Sequence, residues 1–180
     1  MDTLERQQAL AFLGREFLLW LLHHSDVHGG YFDLGEGDFV DLMFENQLVL
    51  DAHIAQAEES RLKGGSPAYS AEARKALQLG KLIRKARITL RHGEVDWLFT
   101  FDADTFAFSG IKLPAVLTRD EDDSFTERMV LIETLEGLWL RLYRVFLTQR
   151  LGARWDDHTG DIRAWIFANA DDEPQPRDPA

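Results

Sequence analysis

Hydrophobic positions in this chain change period along its length, and the changes predict its elements. From Thr3 to His23, Leu10, Leu13, Phe17 and Leu21 recur at three- and four-residue steps, and Phe12, Leu18 and Trp20 widen the stripe. That spacing predicts an amphipathic helix. Gly29-Gly30 breaks the chain, Tyr31 to Leu34 reads as a short strand, and Gly35 and Gly37 punctuate again. Period two then takes over. Phe39 to Phe44 and Leu48 to Ile54 predict two strands around a polar Glu45-Asn46-Gln47 turn, with the second strand extending toward Arg61. Lys63 to Pro67 is a loop by composition.

Ser70 is placed as the N-cap of a short helix, Ala71 to Leu79, closed by Gly80. Three strands are predicted next. In the first, Leu82, Ala86, Ile88 and Leu90 share one face while Lys81, Lys85, Arg87 and Arg91 share the other. His92-Gly93 turns into Val95 to Phe101, with Val95, Trp97, Phe99 and Phe101 on one face. Asp102-Ala103-Asp104 turns into Thr105 to Leu113, where Gly110 signals a bulge and Pro114 ends the pairing. After an acidic linker, Ser124 and Glu127 fit a capping box for the longest helix, to Arg150. Met129, Ile132, Leu135, Leu138, Trp139, Leu142, Val145 and Phe146 form its broad apolar face. A last short helix is expected from Asp161. The elements sum to an α+β fold, an antiparallel β-sheet packed by an N-terminal and a long C-terminal helix. Residues 1–170 are expected to form a single α+β domain, and 171–180 a disordered, acidic, Pro-rich tail.

Charge changes this picture. The net charge is −11, but it is segregated: Asp26 to Ser60 holds nine acids and no Lys or Arg, while Arg61 to His92 holds nine basic residues and one acid. Gly93 to Glu127 is acidic again. The cationic strand therefore has two readings. It is an exposed ladder for an anionic partner, or it balances acidic strands beside it. There are no cysteines, which excludes disulfides and thiolate metal sites. The start lacks a secretory pattern and no apolar run spans a membrane, so a cytoplasmic location is expected.

The chemistry-bearing clusters are weak ones. His23, His24, Asp26 and His28 crowd six positions, but adjacent histidines at a helix end point about 100° apart, and a helix C-terminus favours histidine through its dipole. Glu94, Asp96, Asp102 and Asp104 sit near strand ends without a general base to accompany them. No nucleophile elbow, phosphate loop or dinucleotide fingerprint occurs. No catalytic residue, cofactor or metal site is therefore expected. Trp97, Phe99, Phe101, Phe106 and Phe108 suit a core under the long helix better than a platform for stacked bases.

The order of these features resembles the C-terminal half of the recombination-associated protein RdgC family. Phe17-Leu18-Leu19-Trp20-Leu21 precedes a hairpin, and Ser70 to Leu79 leads into Gly80-Lys81. A Lys-rich strand from Lys85 to Leu90, an aromatic strand from Trp97 to Asp104, Ile111-Lys112-Leu113-Pro114, and Glu127-Arg128 before a final apolar helix complete the match, over roughly Leu10 to Leu151. The resemblance implies a non-enzymatic protein that binds duplex DNA without sequence preference, associates with the nucleoid, forms oligomers and restrains a recombinase. Its implied DNA contacts are Lys81, Lys85 and Lys112, which with Arg87 and Arg91 make the candidate DNA-binding set; Arg84, Arg61 and Lys63 stand nearby. The family's N-terminal half has no counterpart here. The alternative is a protein–protein interaction module that has kept the fold and lost DNA binding, and that uses its acidic surface or apolar helix faces, as a homo-oligomer or in a hetero-complex.

Overall fold

The computed structural model describes residues 3–51, 59–65, 67–118 and 120–168 and, within them, the side chains other than those of 3–11 and 67. Helix α1 spans Thr3–His28. It runs five residues past the predicted end at His23 because nothing before Gly29-Gly30 breaks it. Strands β1 (Tyr31–Gly35), β2 (Asp38–Asp51), β3 (Ser60–Lys63), β4 (Leu82–His92), β5 (Val95–Asp102) and β6 (Ala107–Lys112) form one antiparallel sheet in the order β1-β2-β4-β5-β6. β2 is its spine. The first residues of β2 pair with β1 and its last with β3, while β4 lies along its other side. With the helices on one face, the fold is α+β, as the periodicity predicts.

The predicted turn at Glu45-Asn46-Gln47 is a bulge inside β2. Phe44 pairs with Ile88 and Leu48 with Ala86, so three residues stand opposite Arg87 alone. The backbone goes straight on because these groups find partners where they are. The Asn46 carbonyl accepts from Gly64 N–H at 3.0 Å, and Glu45 accepts from the Thr89 hydroxyl at 2.6 Å. β2 ends at Asp51, and β3 is a separate antiparallel strand; the predicted extension through His53 and Ile54 lies outside the described residues. A second bulge sits in β4, where Val49 pairs with Lys85 but Leu50 with Ile83. The extra residue is Arg84. It moves Ile83, fully buried, into the core position expected of Leu82.

Helix α1 lies across β4 and β2, and its Phe17 meets Phe101 and Trp139 edge-on. Close approach depends on Gly14: a Cβ there would lie 2.0 Å from the Ala103 carbonyl oxygen. Helix α2 (Ala71–Gln78) is capped as predicted, the Ser70 hydroxyl accepting from Ala73 N–H at 3.1 Å. β6 starts two residues later than predicted, because Phe106 takes φ = 54° and closes the turn. The bulge expected at Gly110 is present, with Gly110 and Ile111 opposite Phe99.

Helix α3 (Glu121–Arg150) begins three residues before Ser124. Its cap is Asp120, whose carboxylate accepts from the N–H groups of Asp122 and Asp123. Glu127 does not return to Ser124 as a capping box requires. It accepts instead from Leu117 and Thr118 N–H. Helix α4 (Trp155–Phe167) starts six residues before the expected Asp161. The tail 171–180 lies outside the described residues, and no described helix is long and apolar enough to cross a membrane.

Candidate interaction surfaces

Residues paired across strands share a face of the sheet. The face away from the helices carries Tyr31, Asp41, Arg91 and Asp96 in one row, Met43, Thr89, Leu98 and Lys112 in a second, and Val49, Lys85 and Asp102 in a third. The predicted cationic ladder lies here, with one exception. Lys81 precedes the Arg84 bulge and is directed to the helix side, where its ammonium donates to the Ser60 hydroxyl at 2.7 Å. Ser60 stands opposite the fully buried Leu50. An inserted residue reverses the side-chain alternation beyond it, and period counting through residue 81 cannot register that.

Neighbouring strands neutralise most of the remaining cations. Lys85 pairs with Asp102 at 2.7 Å and Arg91 with Asp96 at 2.7 Å. Burial pushes the Asp102 carboxyl up, but the Lys85 ammonium and the Asp104 and Thr105 N–H groups hold it below its ordinary value. The Arg91 guanidinium holds Asp96 down in the same way. Arg84 bridges Asp51 and Glu59, and Glu59 also pairs with Arg61. Among the described residues, Arg87 and Lys112 have no carboxylate partner. Arg87 reaches across β5, its guanidinium 3.8 Å from where a Cβ on Gly110 would sit.

The acidic candidates are distributed rather than convergent. Glu94 lies in the β4–β5 turn, Asp96 and Asp102 are engaged as above, and Asp104 accepts two hydrogen bonds, at 2.6 and 2.7 Å, from the buried Arg15. Arg15 also pairs with Asp51. Trp97, Phe99 and Phe101 are buried, with Phe99 and Phe101 against Trp139, so these rings are core and not a stacking platform. A cleft of about 790 Å³ separates the β1–β2 hairpin from α3. Its polar lining is largely occupied: Asp38 is shared by His92 and Arg141, and Gln149 accepts from the Trp20 indole.

The histidine cluster is divided by its neighbours. His23 packs edge-on against Trp165, and Asp26 accepts from the Trp165 indole at 2.6 Å. His24 faces His28, with ring centres 4.5 Å apart, and stacks on Phe32. Among the described residues, no three His, Asp or Glu side chains gather as a metal site.

A further surface lies on α3. The apolar face predicted for this helix begins at Met129, yet full burial begins only at Leu135, with Leu131 and Ile132 half-buried. Over the preceding turns Phe125 is 66% exposed, Met129 42% and Val130 54%; Leu140, farther along, is 55% exposed. Val130, Glu133, Gly137 and Leu140 continue at three- and four-residue steps, and a Cβ on Gly137 would meet open space. Acids rim this stretch: Glu121, Asp122, Asp123, Glu127, Glu133 and Glu136 against Arg128 alone.

Sequence reading did not single out Phe125, Val130 or Leu140, although they were apolar positions off the counted stripe. It also passed over Tyr31, Phe39 and Met43 on the open sheet, where Tyr31 and Phe39 stack at 4.7 Å. Period-two alternation through Val40, Leu42 and Phe44 places Phe39, Asp41 and Met43 outward and was the available signal. No protein-family model matches the chain, and no curated protein proved similar to it.

Proposed function

We propose that this chain is a non-catalytic protein-interaction module whose docking surface is the exposed apolar side of α3 between Phe125 and Leu140. Phe125, Met129, Val130 and Leu140 stand exposed along α3 beside the face that meets the core, and that observation carries the reading. Apolar side chains grouped in the open and rimmed by charge are characteristic of association surfaces. The acidic rim selects the occupant: a partner protein presenting an apolar patch with Lys and Arg around it. The near-balanced sheet face, with Lys85 and Arg91 matched to Asp102 and Asp96, favours this reading over an anionic partner.

The test compares wild type with a Val130→Asp/Leu140→Asp variant. Proteins captured from a lysate of the source organism are purified, and their affinity is measured. The expected result is a basic partner whose affinity falls by about tenfold or more in the variant. Equal affinity for both chains, or no protein partner at micromolar concentration, overturns the reading.

Non-specific DNA association is the second reading. It follows from the resemblance to the RdgC family and is favoured by Arg87 and Lys112, which keep uncompensated charge on an open face.

A further inference from the structure

We propose that His24 and His28 form a two-histidine site for a borderline divalent metal ion of the Zn²⁺, Ni²⁺ or Cu²⁺ class, its remaining positions filled by water or by a group on another molecule. The inference depends on where α1 ends. A helix stopping at His23 leaves His28 in a loop. Continued to His28, it sets His24 and His28 one turn apart on the same face.

The ring geometry suits such an ion. A metal about 2.0–2.1 Å from an imidazole nitrogen stands about 3.2 Å from the ring centre, so two rings bound cis at about 90–110° have centres about 4.5–5.2 Å apart. The observed separation is 4.5 Å. The hydrogen bonding of His24 suits it too. Its Nε2 lies 3.1 Å from the Tyr31 carbonyl oxygen. A carbonyl only accepts, so Nε2 carries the proton and Nδ1 keeps its lone pair. A backbone carbonyl holding the second nitrogen is the usual support of a metal-bound histidine. Phe32, stacked with its ring centre 4.4 Å away, and Trp20, at 5.6 Å, hold the His24 ring in place. His28 is exposed, which leaves the site open to ions from solvent.

His23 and Asp26 do not join the pair. Trp165 engages both, and Asp26 also faces Arg74 at 3.7 Å. Two protein ligands agree with the absence of any three-residue group among the described residues. Imidazole suits ions of this class, whereas Mg²⁺ and Ca²⁺ prefer oxygen ligands.

The test is a Zn²⁺ titration of the full chain, followed through the imidazole NMR signals of its six histidines and by calorimetry. One equivalent of Zn²⁺ is expected to shift the His24 and His28 signals together. Binding should weaken about tenfold or more in His28→Ala and in His24→Gln. It should be unchanged in His23→Ala and His92→Ala. Mg²⁺ should shift neither signal. His28 is exposed at a helix end, so its variant tests the site without burdening the fold; circular dichroism verifies this. The proposal is overturned by no saturable binding at millimolar Zn²⁺, or by unchanged affinity in His28→Ala and His24→Gln.

Discussion

Arg15 shows how a single residue ties distant segments together. It is only 5% exposed, yet it is charged, and its guanidinium reaches Asp104 in the β5–β6 turn and Asp51 at the end of β2. The Asp104 hydrogen bonds chiefly raise its pKa against the effect of burial. A buried guanidinium is tolerated when its donors are satisfied, and removing one partner of such a pair strands the other. Arg15→Met should therefore lower unfolding stability by about 3 kcal/mol, within the range for broken buried pairs. A change below about 1 kcal/mol in a urea titration would show that Asp51 and Asp104 simply rehydrate. Phe106 is a second residue held by its surroundings. Its left-handed backbone is unfavourable for a side chain of this size, and edge contacts with Phe101 and Tyr143 offset the strain. Neither feature is legible from the chain, because both depend on contacts made by residues far apart in sequence.

Among the elements, α3 separates what periodicity reveals from what it conceals. Its apolar face follows from three- and four-residue spacing, and Leu135, Leu138, Trp139, Leu142 and Phe146 are buried as expected. Where that face meets protein and where it meets solvent is a property of the sheet beneath it, which no local pattern contains. The same division holds elsewhere. Ser70 caps α2 as predicted because capping is local, whereas the Arg84 bulge moves Lys81 off the cationic face because register is set by β2. The ladder was legible as charge and its neutralisation as one of two readings, but the particular partners follow only from β4–β5 pairing, which makes Asp96 and Asp102 neighbours of Arg91 and Lys85. Two substitutions on α3 measure the contrast. Leu142→Ala, at a fully buried position, should cost about 2–5 kcal/mol. Val130→Ala should stay within about 0.5 kcal/mol, as surface changes do. Comparable losses at both positions in chemical denaturation would place Val130 in the core and remove the unpartnered surface.

At the scale of the whole molecule, electrostatics distinguishes the two functional readings. A chain of net charge −11 repels duplex DNA at long range, so any contact must come from local cations that are free to exchange counterions for phosphate. Exposed ion pairs such as Arg91–Asp96 contribute little to stability, but a carboxylate at 2.7 Å competes directly with a phosphate for the same donors. Arg87 and Lys112 are then the contacts left on the open sheet. Each phosphate neutralised on B-DNA changes the slope of log K against log salt by about −0.9, so two contacts give a slope near −1.8. Four free cations on this face would give about −3.6. The measurement is the mobility of a labelled duplex at several salt concentrations, for wild type and for Arg87→Gln/Lys112→Gln. If DNA association is the function, wild type should bind with the shallow slope and the double variant should show almost none, with its unfolding midpoint unchanged because neither side chain is buried. A slope near −3.6 would mean that the Lys85 and Arg91 pairs open on DNA and all the cations of the open face act together. Absence of binding at low salt, where screening is weakest, would leave the acidic, apolar side of α3 between Phe125 and Leu140 as the proposed surface of action.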